Sequence, residues 1–141
     1  MSIFIRKNIE NSKSSGDWLS YSFEQLVSDS DLVVYGEISS TQSVNSNPPS
    51  QESNLRVLKV LKGDETNTTI VINLSDPSYY VKSKSKYVMF LDNTGSFYTQ
   101  KTYNSLLMEE NGVISSSLQG LSEEFTIDEV QSEISNVISH Q

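Results

Sequence analysis

The sequence predicts a mostly-β (α+β) fold, a small antiparallel β-barrel with a short N-terminal helix and a C-terminal amphipathic helix. Three observations predict it. Short β-branched and aromatic runs alternate with turn signals through the middle of the chain. Two capping-box patterns flank those runs, Ser22-Phe23-Glu24-Gln25 before them and Thr126-Ile127-Asp128-Glu129 after them. The 141 residues contain no cysteine. A chain of this size buries about 68–70% of its unfolded surface and needs no disulfide staple.

Residues 1–16 read as a flexible N-terminal arm, because Asn8 to Gly16 is polar and cannot offset the entropy of ordering. Residues 17–141 read as one domain. Its first helix starts at the Ser22 cap, with Tyr21 and Leu26 placed as a hydrophobic staple. Phe23, Leu26 and Val27 share one face, and a polar run ends the helix near Ser28–Asp31. Leu32 to Ile38 is a strand whose continuous apolar run makes it central or strongly buried, and Gly36 inside it signals a bulge or bend. Residues 39–53 read as a long polar loop around Pro48-Pro49. Asn54 to Lys62 is the second strand, and its apolar phase shifts between Val57 and Leu58, which fits a bulge or burial on both faces. A turn at 62–67 leads into a third strand, Thr69 to Leu74, and Asp76-Pro77-Ser78 breaks the chain. Lys86 to Leu91 and Phe97 to Thr99 are the next strands. Ser105–Met108 and Val113–Ile114 form a hairpin through Asn111-Gly112. The last helix carries an apolar stripe of Ile127, Val130, Ile134, Val137 and Ile138, with Asp128 and Glu129 favouring its dipole. This order of elements suits a small barrel of the OB type.

The formal net charge is −8, which disfavours nucleic acid as a partner. The charge is uneven. Thr102 to Gln141 holds seven carboxylates and no Lys or Arg. That region is either a solubilising surface or a face that steers a basic partner. No stretch approaches the ~20 apolar residues that span a membrane, and the first residues lack the apolar core of a secretory signal. As written the chain is expected in the cytoplasm, or else as a mature fragment whose leader was removed.

No residue set points to catalysis. The one histidine is His140, a penultimate residue and a poor place for a general base. The carboxylate pairs Asp29/Asp31, Glu109/Glu110 and Glu123/Glu124 read as solvated turn residues. Glycine-rich phosphate loops are absent, and no metal or cofactor is expected. The candidate binding residues are Tyr79 and Tyr80, and Lys82, Lys84 and Lys86. The tyrosines are either interface anchors or a cap on the barrel end. The lysines, if extended, share one strand face and meet an anionic group or protect an edge.

Asp31-Leu32-Val33-Val34-Tyr35-Gly36-Glu37-Ile38, then Leu55-Arg56-Val57-Leu58-Lys59-Val60-Leu61-Lys62-Gly63, then Lys86-Tyr87-Val88-Met89-Phe90-Leu91, form a series over roughly residues 22–91. It resembles the netrin-like and tissue-inhibitor-of-metalloproteinase group of OB-type barrels, in a cysteine-free bacterial variety. The resemblance implies an exported, cell-surface or secreted module. The family's inhibitory mechanism uses an N-terminal cysteine on the protease zinc, which this chain cannot supply. The expectation is therefore a non-catalytic protein-binding module, with residues 39–53 and Tyr79-Tyr80 as its contact surface. The alternative is a cytoplasmic inhibitor or immunity-type protein whose acidic C-terminal region neutralises a basic partner.

Overall fold

A computed structural model describes residues 20–45, 47 and 49–140. The expected arm over residues 1–16 and Pro48 lie outside the described residues. Helix α1 (Phe23–Asp29) starts at the Ser22 capping box, in which both reciprocal hydrogen bonds form. Strands β1 (Leu32–Val44), β2 (Ser50–Lys62) and β3 (Thr69–Leu74) follow. A 3₁₀ turn at Pro77–Tyr79 leads to β4 (Lys86–Asn93) and β5 (Tyr98–Gln100). Then come β6 (Leu106–Glu110), β7 (Val113–Ser115), β8 (Glu124–Phe125) and helix α2 (Ile127–Ser139).

The strand order β1-β2-β3-β5-β4 closes on itself through β1–β4 pairing, giving a five-stranded barrel. The expected small barrel with its two helices forms, and one of its seams is not antiparallel. β3 and β5 are parallel, meeting at Ile72 and Tyr98. A parallel seam arises because a long connection separates β3 from β5, whereas antiparallel neighbours need only a hairpin. From β4 the sheet continues outward as β6, β7 and β8.

Two cores explain the unbroken apolar runs. Leu32, Val34 and Ile38 of β1 face the barrel interior with Leu55, Ile72, Leu74, Met89 and Leu91. The alternate residues Val33 and Tyr35, with Val88 and Phe90 of β4, face outward under the helices. There they meet Phe23, Leu26 and Val27 of α1 and Val130 and Ile134 of α2. Side chains alternate across a strand, so a strand sandwiched between two apolar layers must be apolar at every position.

One bulge falls where the sequence placed it. Gly36 pairs with Val57 and Tyr35 with Lys59, leaving Leu58 as the extra residue. A second shift, between Val33 and Val34, leaves Leu61 as another. Gly36 is required by close approach, since a Cβ there would lie 2.5 Å from the Arg56 carbonyl oxygen.

The expected loop over residues 39–53 is corrected. Residues 39–44 and 50–53 are strand, and the hairpin extends the barrel wall to a tip near residues 45–49. Their polar side chains mask a ladder set by the backbone. Ser53 is fully buried, and Gln51 is nearly so. Gln51 donates through Nε2 to the Val81 carbonyl at 3.0 Å and accepts from the Val81 N–H at 2.9 Å. The amide thus acts as one more strand partner for the segment after β3.

Lys62 completes the join between α1 and the barrel. Its Nζ donates to the carbonyls of Val27, Ser28 and Ser30 at 2.8, 3.0 and 2.7 Å. A cation on the last carbonyls of a helix satisfies orphan acceptors and favours the dipole. The hairpin β6–β7 turns through Asn111 and Gly112, both with positive φ, as the Asn-Gly signal predicts.

Candidate functional site

The five residues singled out from sequence do not form one face. Lys82 and Lys84 lie in an irregular turn, and Lys84 adopts φ 69°, so the alternation to Lys86 is not strand geometry. The turn forms because the Lys84 N–H reaches the Ile38 carbonyl and the Lys82 N–H reaches the Tyr87 hydroxyl. The shared positive stripe is therefore corrected. Nor is Lys86 on an edge: it pairs with Glu37 on one side and Glu109 on the other. Tyr80 is half-buried against the barrel interior, its hydroxyl 3.4 Å from the Pro49 carbonyl. The Tyr79 ring lies tilted against that of Tyr103 at 6.5 Å.

Lys86 belongs instead to a charge row that crosses four strands. Register places Arg56, Glu37, Lys86 and Glu109 in line on β2, β1, β4 and β6. Arg56 bonds Glu37, and this contact holds the Glu37 carboxyl below the usual carboxylate range. Glu109 accepts from the Tyr35 hydroxyl at 2.6 Å. Burial, reinforced by that bond, pushes the Tyr35 phenol well above its ordinary value. Opposite charges directly across a sheet are stabilising, and this row fixes register on the outer face.

A cleft of about 310 Å³ opens at one barrel end between the β2–β3 and β4–β5 connections, with Phe97 and Tyr98 on its wall. The Tyr98 hydroxyl donates to Glu65 at 2.7 Å. Burial and that bond push Tyr98 up to about 12. Backbone N–H donation from Asn67, then the Tyr98 bond, holds Glu65 low. Both groups keep their charge state through neutral pH, which suits a fixed contact rather than proton transfer.

The most developed concave surface lies on the opposite layer. The 115–124 segment, the start of α1 and one side of α2 enclose contiguous clefts that share Gly120. One, of about 360 Å³, has Leu121, Phe125 and Val130 in its wall with Glu129 and Glu133 beside them. The next, of about 300 Å³, runs between Phe23 and Val137, flanked by Glu24 and Glu133. Leu121 and Val137 are half-buried, so the floor offers apolar surface to an occupant. The carboxylates around these clefts are Glu24, Glu123, Glu124, Glu129 and Glu133, and among the described residues no Lys or Arg lines them. Lys59 meets α2 at residues outside these clefts, 3.7 Å from Asp128 and 3.1 Å from Gln131. The acid-only stretch noted in the sequence thus becomes one wall of a groove. Sequence reasoning missed the groove because Glu24 and Phe23 come from the far end of the chain. The signal it did hold was the spacing of Glu129, Glu133 and Val137 on one side of α2.

His140 is exposed at the C-cap of α2, with Nδ1 2.6 Å from the Asn136 carbonyl. No helix among the described residues is long and apolar enough to cross a membrane. No family model matches the chain, and no curated protein matches it.

Proposed function

We propose that the chain is a non-catalytic protein-binding module whose contact site is the acidic groove between α1, the 115–124 segment and α2. The observation that carries this reading is the pairing of half-buried Leu121 and Val137 with five carboxylates and no base around one concavity. Such a surface complements a segment with an apolar face and basic flanks, as in helix-in-groove recognition. The geometry moves the contact away from residues 39–53, which are largely strand, and from Tyr80, which caps the barrel. It draws in the acidic C-terminal region of the alternative reading. The further proposal of a cell-surface or secreted setting rests on the resemblance of the sequence to netrin-like barrels.

The test is a titration of the isotope-labelled chain with a synthetic amphipathic Lys/Leu peptide, followed by NMR. Amide shifts are expected at Glu24, Gly120, Leu121, Glu133 and Val137. They should weaken as salt rises from about 0.1 M to about 1 M, where the screening length falls from ~10 to ~3 Å. Shifts confined to the hairpin tip or to Tyr79 and Tyr103 would refute the site. Affinity unmoved by salt would refute the electrostatic part.

A further inference from the structure

We propose that the cleft between β3 and the turn over residues 93–97 is a second binding site, which takes a short extended peptide bearing a lysine or arginine by adding it to the open edge of β3. The site is separate from the groove between α1 and α2 and does not depend on it.

The barrel leaves one seam half closed. β3 and β5 pair only at Ile72 and Tyr98, although β3 begins at Thr69. The Val57 N–H donates to the Thr68 carbonyl at 2.8 Å, and this bond sets the phase of the β2–β3 ladder. Successive residues of a strand direct their hydrogen-bonding groups to opposite edges. Ile70 and Ile72 therefore bond to β2, while Thr69 and Val71 turn their N–H and C=O groups to the β5 side. The chain before β5 does not run beside residues 69–71. Thr94 closes it into a turn, donating to the Phe97 carbonyl through its N–H at 3.0 Å and its hydroxyl at 2.8 Å. The cleft of about 310 Å³ is the space left between that turn and the open edge.

Backbone groups on an open edge are a template for one more strand, so the edge selects an extended chain. Three residues of edge span about 10 Å. The cleft volume is near the lower limit for ligand sites, ~300 Å³, so the occupant is short. Charge selects its side chains. Glu65 lines the cleft, and Asp31 Oδ2 accepts from the N–H of Asn93, another lining residue, at 2.8 Å. Besides burial and the Glu65 bond, the charges of Glu65 and Asp31 both push the Tyr98 phenol up. Among the described residues no Lys or Arg lines the cleft. The potential is therefore negative, and a cation on the peptide complements it. Glu65 is fixed in place before any peptide arrives. Its carboxylate accepts from the Tyr98 hydroxyl at 2.7 Å and from the N–H groups of Thr66 and Asn67 at 3.1 and 2.9 Å.

The test is an NMR titration of the full isotope-labelled chain with the capped peptide Thr-Val-Lys-Val-Thr. Amide shifts are expected at Thr69, Val71, Gly95 and Phe97. Two altered peptides separate backbone from charge: one N-methylated at alternate amides, the other with glutamate in place of lysine. Each should bind about tenfold more weakly or worse, from lost hydrogen bonds or a reversed charge. Ser96 is exposed at the cleft. Ser96→Lys places a cation there and should weaken the parent peptide by a similar factor, with a thermal melt confirming that the variant is folded. Equal binding of the N-methylated peptide would overturn strand addition, and equal binding of the glutamate peptide would overturn the charge selection. Absence of shifts at about 1 mM peptide, a weak-binding limit, would overturn the site. So would shifts that fall at Gly120, Leu121 and Val137 instead.

Discussion

Replacing Gly36 with alanine adds one methyl group at the tightest point of the barrel. Gly36 lies on β1 between Val57 of β2 and Tyr87 of β4, so both edges of its backbone are paired. The new Cβ would sit 2.5 Å from the Arg56 carbonyl oxygen and 2.9 Å from Leu55 Cγ. Leu55 can rotate, but the oxygen is backbone. To reach ordinary contact at 3.4 Å it must retreat by about 0.9 Å. β2 is held on its far side by β3, where Leu55 pairs with Ile70 and Arg56 with Thr69. A closed barrel cannot widen one seam without straining the next. Overpacking costs about 1–3 kcal/mol, and a clash with a doubly held backbone belongs at the upper end. A loss of about 3 kcal/mol corresponds to a fall of roughly 10 °C in Tm for a domain of this size. Urea denaturation should show a lower midpoint with an unchanged m-value. Adding Leu55→Ala should not rescue the variant, because the closer contact is with the backbone. A Gly36→Ala protein melting within about 2 °C of the parent would refute the close approach, given the same conversion.

Lys62→Met should destabilise the chain by about 1–2 kcal/mol, since it strips a charged donor from the three carbonyls at the end of α1; equilibrium denaturation measures it, and Lys62→Arg should recover part of the loss. Stability should decline at alkaline pH. Tyr35 and Tyr98 have raised folded-state values, so their contribution is full below the unfolded value near 10 and is lost as pH rises through the folded one. Melts from pH 9 to pH 12 should show the decline, and Tyr35→Phe should reduce its slope. At the acid end Glu37 and Glu65 have lowered values. Their contribution is present above the unfolded carboxylate value and disappears as pH falls through the folded one, a loss that Glu65→Gln should lessen in the same melts. Glu133→Lys should weaken Lys/Leu peptide binding and reduce its salt dependence while leaving Tm nearly unchanged, because the side chain is exposed; calorimetric titration reads both.

Much of the architecture was legible in local sequence. The boxes at Ser22 and Thr126 formed with both reciprocal bonds, because a cap depends only on residues three positions apart. The apolar run at Leu32–Tyr35 announced a central, strongly buried strand, and Asn111-Gly112 announced its turn. The phase shift at Val57–Leu58 marked a bulge whose partner glycine is Gly36. What local sequence could not supply was pairing between distant segments. Ser39 to Ser53 reads as loop because nothing in its polarity distinguishes a solvated ribbon from a coil. Only the pairing of residues 40–44 with 50–54, the ladder with β3 and the bond from Gln51 to Val81 make its two arms strand. β8 is two residues long and exists only because β7 lies beside it. Lys82, Lys84 and Lys86 alternate in sequence, yet hydrogen bonds donated by the Lys84 N–H to Ile38 and by the Lys82 N–H to Tyr87 turn the backbone between them. The acidic excess of the last forty residues was a property of composition alone. The packing of α1 against α2 decided that it faces a groove, bringing Phe23 and Glu24 beside Glu133 and Val137 across more than a hundred residues of chain.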